Sequence, residues 1–165
     1  MKIRDKIAAQ LPGWRERVRK LVKENGDYKV CDVTVEQIYG GIRGVQIQVT
    51  DISYVDPAQG IRLRGYTIPE VLKLLPRAEG SEYPMAGGLY YLLMVDELPT
   101  LEDAMEVESE WKARSAIPSY VYKLLRDMPP DTHPMTLFTQ GILALQNSSM
   151  FVRQYQEGIP KVDYW

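Results

Sequence analysis

The chain of 165 residues contains one cysteine, Cys31, and one histidine, His133. A lone thiol cannot pair within the chain and has no second cysteine for a zinc site, so a disulfide framework is excluded and a reducing compartment is expected. Any serine-histidine-aspartate triad or histidine-based metal site would have to use His133, and nothing in the sequence marks a partner for it. Its place beside Pro134, where a helix should start, favours a structural role, and no metal site is expected. A charge excess of one sign is also missing. Lys and Arg number 20 against 22 Asp and Glu, giving a formal net charge of -2, which denies the chain the basic field that nucleic-acid binding requires. Nor is there a long apolar run. The longest, LYYLLMV at 89–95, is far shorter than the ~20 residues a bilayer crossing needs, and MKIRDKIAAQ has no hydrophobic signal region, so no membrane partner is expected. Repeats, low-complexity tracts and long linkers are absent. What is present is 45% hydrophobic residues in a length suited to a single core.

Proline supplies the punctuation, and between prolines apolar residues recur mostly at helical spacing. Ile3, Ile7, Leu11, Trp14, Val18, Leu21 and Val22 form one stripe, with Arg15, Arg17, Arg19, Lys20 and Lys23 around it. Pro12-Gly13 should kink or split this helix, and Asn25-Gly26 should end it with a left-handed glycine cap. Residues 45–66 change period: Val45, Ile47 and Val49 alternate with polar residues, then the phase slips to Ile52 and Tyr54, as a bulge or bend near Asp51 would cause. Asp56-Pro57-Ala58-Gln59-Gly60 is a turn and 61–64 a return strand, which makes a β-hairpin. Thr67 and Glu70 have the spacing of a capping box, and Thr100 and Asp103 that of a looser one opening a helix to about Arg114. Further helices are predicted at 87–95, 118–127 and 134–147.

The acidic residues Glu102, Asp103, Glu106, Glu108 and Glu110 read as a solvated helix face, because so polar a run offers no environment to raise a carboxyl pKa. Tyr90 and Tyr91 read as core. Arg62 and Arg64 alternate with apolar residues as on an exposed sheet face. The word YGGIRG at 39–44 lacks the G-x-x-x-x-G-K-[ST] signature and follows a helix-like VTVEQIY, so spacing alone makes it a helix-to-strand turn. Glycines would still let the backbone approach a ligand, and Arg43 would present a planar fork to phosphate oxygens.

Six words then follow one another: VTVEQIYGGIRG, DPAQGIRLRGYTIPEVLKLLP, GLYYLLMVDELPT, EWKARSAIPSYV, HPM and EGIPKVDYW. Their order and spacing resemble citrate synthase of the mitochondrial, or eukaryotic, type, closely from about Val33 and more loosely from Met1. The resemblance implies a mainly α fold: residues 1–165 would be the N-terminal portion of a multi-helical large domain with a small N-terminal β-hairpin. The small domain and the catalytic segments would fall outside it. It implies the condensation of acetyl-CoA with oxaloacetate and water to citrate and CoA, with no permanently bound cofactor. The family's catalytic aspartate and histidines would lie beyond the position of Trp165, so no catalytic residue is assigned and the chain alone is expected to be inactive. Arg43, in the GG-x-RG word, matches an arginine that contacts CoA phosphates. The helix at 134–147 resembles one that packs on its symmetry mate in a homodimer. In it Met135, Gly141 and Ala144 are the candidate contacts, since Gly141 and Ala144 on one helix permit close approach. A 2-methylcitrate synthase or citryl-CoA lyase on the same scaffold, and a non-catalytic CoA- or subunit-binding helical module, stay open. Met1 near the start of mature relatives and Asp5 within a basic beginning imply no transit peptide. A bacterial cytoplasm is expected, or the mitochondrial matrix for a processed chain.

Overall fold

The computed structural model describes residues 3–45 and 49–164, in two compact units, Met1–Glu110 and Trp111–Trp165. Among the described residues the fold is mainly helical with one small antiparallel sheet, as expected.

The first unit opens with α1 (Ile3–Asn25), which continues through Pro12 as one helix. The expected split at Pro12-Gly13 does not occur. Proline removes one ladder donor, but Ile3 and Ile7 on the turns before it pack on Tyr91, Val95 and Val107, and this packing holds the helix against that loss. The helix does stop at Asn25, though not through a left-handed glycine. Gly26 has no positive φ; a Cβ there would lie 2.6 Å from the Val22 carbonyl oxygen, so the position needs glycine for close approach.

After α2 (Val35–Tyr39) come β1 (Ser53–Asp56), β2 (Gly60–Leu63) and β3 (Tyr66–Thr67), paired antiparallel in the order β1-β2-β3. Of the alternating stretch expected to begin the first strand, Gln46, Ile47 and Gln48 lie outside the described residues, and Val49 and Thr50 are not in a strand. The chain bends at Asp51 and Ile52, and pairing begins at Ser53 opposite Leu63. The predicted turn is present: Asp56 Oδ1 accepts from the Ala58 and Gln59 amides, both at 2.8 Å, and Gly60 takes φ 81°. These two donors, Gln59 first, hold the Asp56 carboxyl below the usual range. β3 was not predicted. It follows β2 through a two-residue turn, with Leu63 opposite Tyr66, in which Arg64 (φ 49°) and Gly65 (φ 84°) are both left-handed, as a type I′ hairpin requires.

α3 (Ile68–Leu74) starts at the expected capping box, Thr67 N–H donating to Glu70 Oε2 at 2.7 Å and Glu70 N–H to Thr67 Oγ1 at 3.3 Å. Those contacts from Thr67 lower the Glu70 pKa. α4 (Ala86–Val95) is apolar on every face and runs through the middle of the unit. Leu92 meets Val71 and Leu75 with Leu63, Tyr66 and Leu89 around them, while Tyr91 and Val95 meet Val107 and the start of α1. Tyr91 is core as expected; Tyr90 is exposed. α5 (Leu101–Ala113) begins at the Thr100-Asp103 pair and comes so close to α4 that a Cβ on Gly87 would stand 2.5 Å from the Ala104 carbonyl oxygen.

The second unit holds α6 (Ser119–Arg126), α7 (Pro134–Ala144) with a 3-10 turn at Leu145–Ser148, α8 (Met150–Gln156) and a 3-10 turn at Lys161–Asp163. The first two are the predicted helices, and α8 was not foreseen. Gly141 faces Leu125 of α6, where a Cβ added to the glycine would lie 3.6 Å from Leu125 Cδ1, and the Tyr120 hydroxyl donates to the Ala144 carbonyl at 2.9 Å.

Candidate functional site

The Arg43 loop grows out of α2. Thr34 caps the helix, its Oγ1 accepting from Gln37 N–H at 3.2 Å while Gln37 Oε1 accepts from Thr34 N–H at 3.0 Å. The chain then folds back over its last turn: Gly40 N–H donates to Glu36 O at 2.8 Å, Gly41 N–H to Ile38 O at 3.3 Å and Ile42 N–H to Gln37 O at 2.6 Å. Gly41 (φ 78°), Ile42 (φ 62°) and Gly44 (φ 74°) are left-handed. A Cβ would meet nothing within 4 Å at Gly41, so this glycine is required by φ alone. Gly40 is different: its φ is -77°, and a Cβ would come to 3.0 Å from Glu36 O. For the β-branched Ile42 a left-handed φ is strained, and its bond to Gln37 is what sustains it.

Arg43 stands exposed at the head of this loop, beside a depression of about 560 Å³ lined by Glu36, Gln37, Tyr39, Gly40 and Arg43. Among the described residues its guanidinium has no hydrogen-bond or ion-pair partner. An unengaged planar fork beside an open depression suits a bidentate contact to phosphate oxygens, and the only carboxylate lining that depression is Glu36.

Arg64 corrects the reading of an exposed strand face. Its side chain is 9% exposed. Nε and Nη2 both donate to the Leu93 carbonyl, at 3.1 and 2.7 Å, and Nη1 donates to the Asp51 carbonyl at 3.3 Å. The Asp51 and Asp96 carboxylates lie 3.4 and 3.7 Å away. The left-handed φ of the turn directs this side chain along the sheet to the C-terminal end of α4, where a cation also meets the negative end of the helix dipole. Arg62 is half-exposed and donates to Gln59 Oε1 at 2.8 Å.

Two members of the acidic series are structural acceptors and not simply solvated. Glu108 Oε1 takes the Gly87 amide at 3.2 Å. Asp103 accepts from Thr100 N–H and Oγ1 at 3.0 and 2.7 Å. Partial burial raises its pKa, and the Thr100 hydrogen bonds outweigh that effect and leave it lowered. On α1, Lys6 donates to the buried Tyr91 hydroxyl and to Glu97 Oε2 at 3.0 Å, which raises its pKa. His133 has the structural role expected of it, Nδ1 accepting from the Met135 amide at 3.1 Å as the cap of α7. No cluster of three or more metal-ligating side chains is found among the described residues. Nor, among them, is any helix long and apolar enough to cross a membrane.

The candidate contacts of α7 fall on two faces. Gly141 and Ala144 lie on the side packed against α6, so their close approach is used within the unit. Met135 is on the open side with Phe138 and Ile142, at 61, 62 and 53% exposure.

The family model described as "Citrate synthase, C-terminal domain" matches residues 41–163. This chain belongs to the citrate synthase family. It is 41% identical over 163 residues to the protein named "Probable citrate synthase, mitochondrial" of Glossina morsitans morsitans, covering 99% of this chain and 35% of that one. The citrate synthase named as mitochondrial in Emericella nidulans is 41% identical, over 99% of this chain and 34% of its own. The one named as peroxisomal in Saccharomyces cerevisiae is 40% identical, over 99% and 35%. The chain thus spans about a third of the length of these relatives.

The signal that carried Arg43 was its place in the GG-x-RG word. Gln37, which ties that loop to α2 from two sides, went unremarked, although T-V-E-Q at 34–37 has capping-box spacing.

Proposed function

We propose that this segment is the N-terminal part of the large domain of a citrate synthase, which condenses acetyl-CoA with oxaloacetate and water to citrate and CoA. The observation that carries the proposal is the correspondence with citrate synthases over 99% of the chain at 41% identity. Within the segment Arg43 is the phosphate contact for CoA, bound as a substrate, and its exposed guanidinium beside the open depression supports that role. The groups that ionise the acetyl methyl lie outside this chain, so the 165 residues alone are inactive. The open apolar stripe Met135, Phe138 and Ile142 on α7 supports a homodimer built on that helix. The mitochondrial names of the relatives favour the matrix over a bacterial cytoplasm.

In the complete protein, a thiol-release assay is expected to show oxaloacetate-dependent liberation of CoA from acetyl-CoA; no turnover would overturn the assignment. A preference for propionyl-CoA would move it to 2-methylcitrate synthesis. Arg43→Ala is expected to raise the KM for acetyl-CoA about tenfold, the worth of one charge-assisted contact, and to leave that for oxaloacetate within about twofold. Equal effects on both would make Arg43 structural.

A further inference from the structure

We propose that Gln37 is a positioning residue for Arg43, holding the loop in the shape that presents the guanidinium; the inference rests on the reading of Arg43 as a phosphate contact. The side-chain amide of Gln37 bridges two segments. Its Oε1 accepts from Thr34 N–H at 3.0 Å, and its Nε2 donates to the Arg43 carbonyl at 3.4 Å. Its main-chain carbonyl takes the amide of the strained Ile42 at 2.6 Å. The residue before Arg43 and Arg43 itself are therefore both fastened to one side chain's residue, and Gln37 is the only half-buried residue of α2.

The choice of an amide is informative. Three described helices open with reciprocal bonds between a threonine and the residue three positions on: Thr34-Gln37, Thr67-Glu70 and Thr100-Asp103. Two use a carboxylate, which satisfies the cap equally well, since an acceptor is all the cap needs. Only the helix that leads into the Arg43 loop uses glutamine. A carboxylate there could take the Thr34 amide but would have no proton for the Arg43 carbonyl. The amide orientation is fixed by the same pair of partners, because a flip would set donor against donor and acceptor against acceptor.

The test separates the strap from the cap. Gln37→Glu keeps the cap and loses the strap, Gln37→Met loses the strap and the side-chain half of the cap, and Thr34→Ala loses the threonine acceptor and keeps the strap. In the complete protein both Gln37 variants are expected to raise the KM for acetyl-CoA about two- to tenfold, the equilibrium effect of one hydrogen bond, with kcat unchanged. Thr34→Ala should leave KM within about twofold, and in an Arg43→Ala background the Gln37 effect should vanish. In the 165-residue chain, Gln37→Met is expected to speed tryptic cleavage after Arg43 more than Thr34→Ala does. Faster cleavage with no KM response to Arg43→Ala would keep the strap and defeat the reading of Arg43. A KM response to Arg43→Ala with Gln37 variants that change neither KM nor cleavage, or with Gln37 and Arg43 effects that simply add, would overturn the role of Gln37.

Discussion

Replacing Arg64 removes a guanidinium that joins the hairpin, the bend at Asp51 and the end of α4. Its two bonds to the Leu93 carbonyl come from a side chain 9% exposed. A charged donor in such a setting is worth about 1.5–3 kcal/mol, and its position at the helix C-terminus adds about 0.3–1 kcal/mol. The two carboxylates are 68 and 64% exposed, so those ion pairs add little. Arg64→Ala should therefore destabilise the first unit by about 3 kcal/mol. Arg64→Gly should lose about 1 kcal/mol less, because glycine takes the left-handed φ without strain. Urea unfolding followed by Trp14 fluorescence, in a Trp111→Phe, Trp165→Phe background, reads this directly, since Trp14 and Arg64 line one groove of about 500 Å³. The alanine deficit should persist in 0.5 M salt. A loss under about 1 kcal/mol, or one that salt abolishes, would show that the carbonyl fork is not what holds these elements together.

Gly87→Ala should lower stability by about 1–3 kcal/mol, because its Cβ would stand 2.5 Å from the Ala104 carbonyl and 2.8 Å from Glu108 Cγ. Gly88→Ala meets only Pro76 and Pro99, at 3.4 Å or more, and should be neutral or stabilising by up to about 1 kcal/mol. Thermal unfolding in which the two glycines respond alike would contradict the packing of α4 on α5. The lowered pKa values of Asp56, Glu70 and Asp103 predict acid sensitivity. A depressed carboxyl contributes stability that is present above its unfolded pKa and lost as pH falls through its folded one. The melting-temperature gap between Asp103→Asn and the parent should thus be wide at pH 7 and narrow towards pH 3; a gap independent of pH would refute the Thr100 contact as its source.

Local chemistry was readable in the sequence and distant partnership was not. The Thr67-Glu70 cap, the Asp56 turn and the His133 helix start are decided within a few residues, and each is formed as expected. Arg64 shows the limit. In period-2 alternation it resembles any solvent-facing strand residue, and its hydrogen-bond partners lie 13 and 29 positions away. Pro12 fails as a break for the same reason, since the packing that sustains α1 comes from α4 and α5. On α7 the small residues foretold close approach, which the family likeness assigned to a symmetry mate; within this chain α6 packs on Gly141. Arg43 is exposed; spacing alone gave only a turn there, and the phosphate contact proposed for it came from the family words.

The contacts of α1 set a timetable for synthesis. Lys6 must find Tyr91, which is 85 positions along the chain, whereas the hairpin, α3 and α4 assemble from near neighbours. At about 5–20 residues per second α1 emerges on the order of 4–17 s before its binding surface exists. During that interval Ile3 and Ile7 join Trp14, Val18, Leu21 and Val22 on a basic helix with nothing beneath it. A chaperone that favours such segments would have its main opportunity then, and slowing translation before residue 91 should deepen dependence on it.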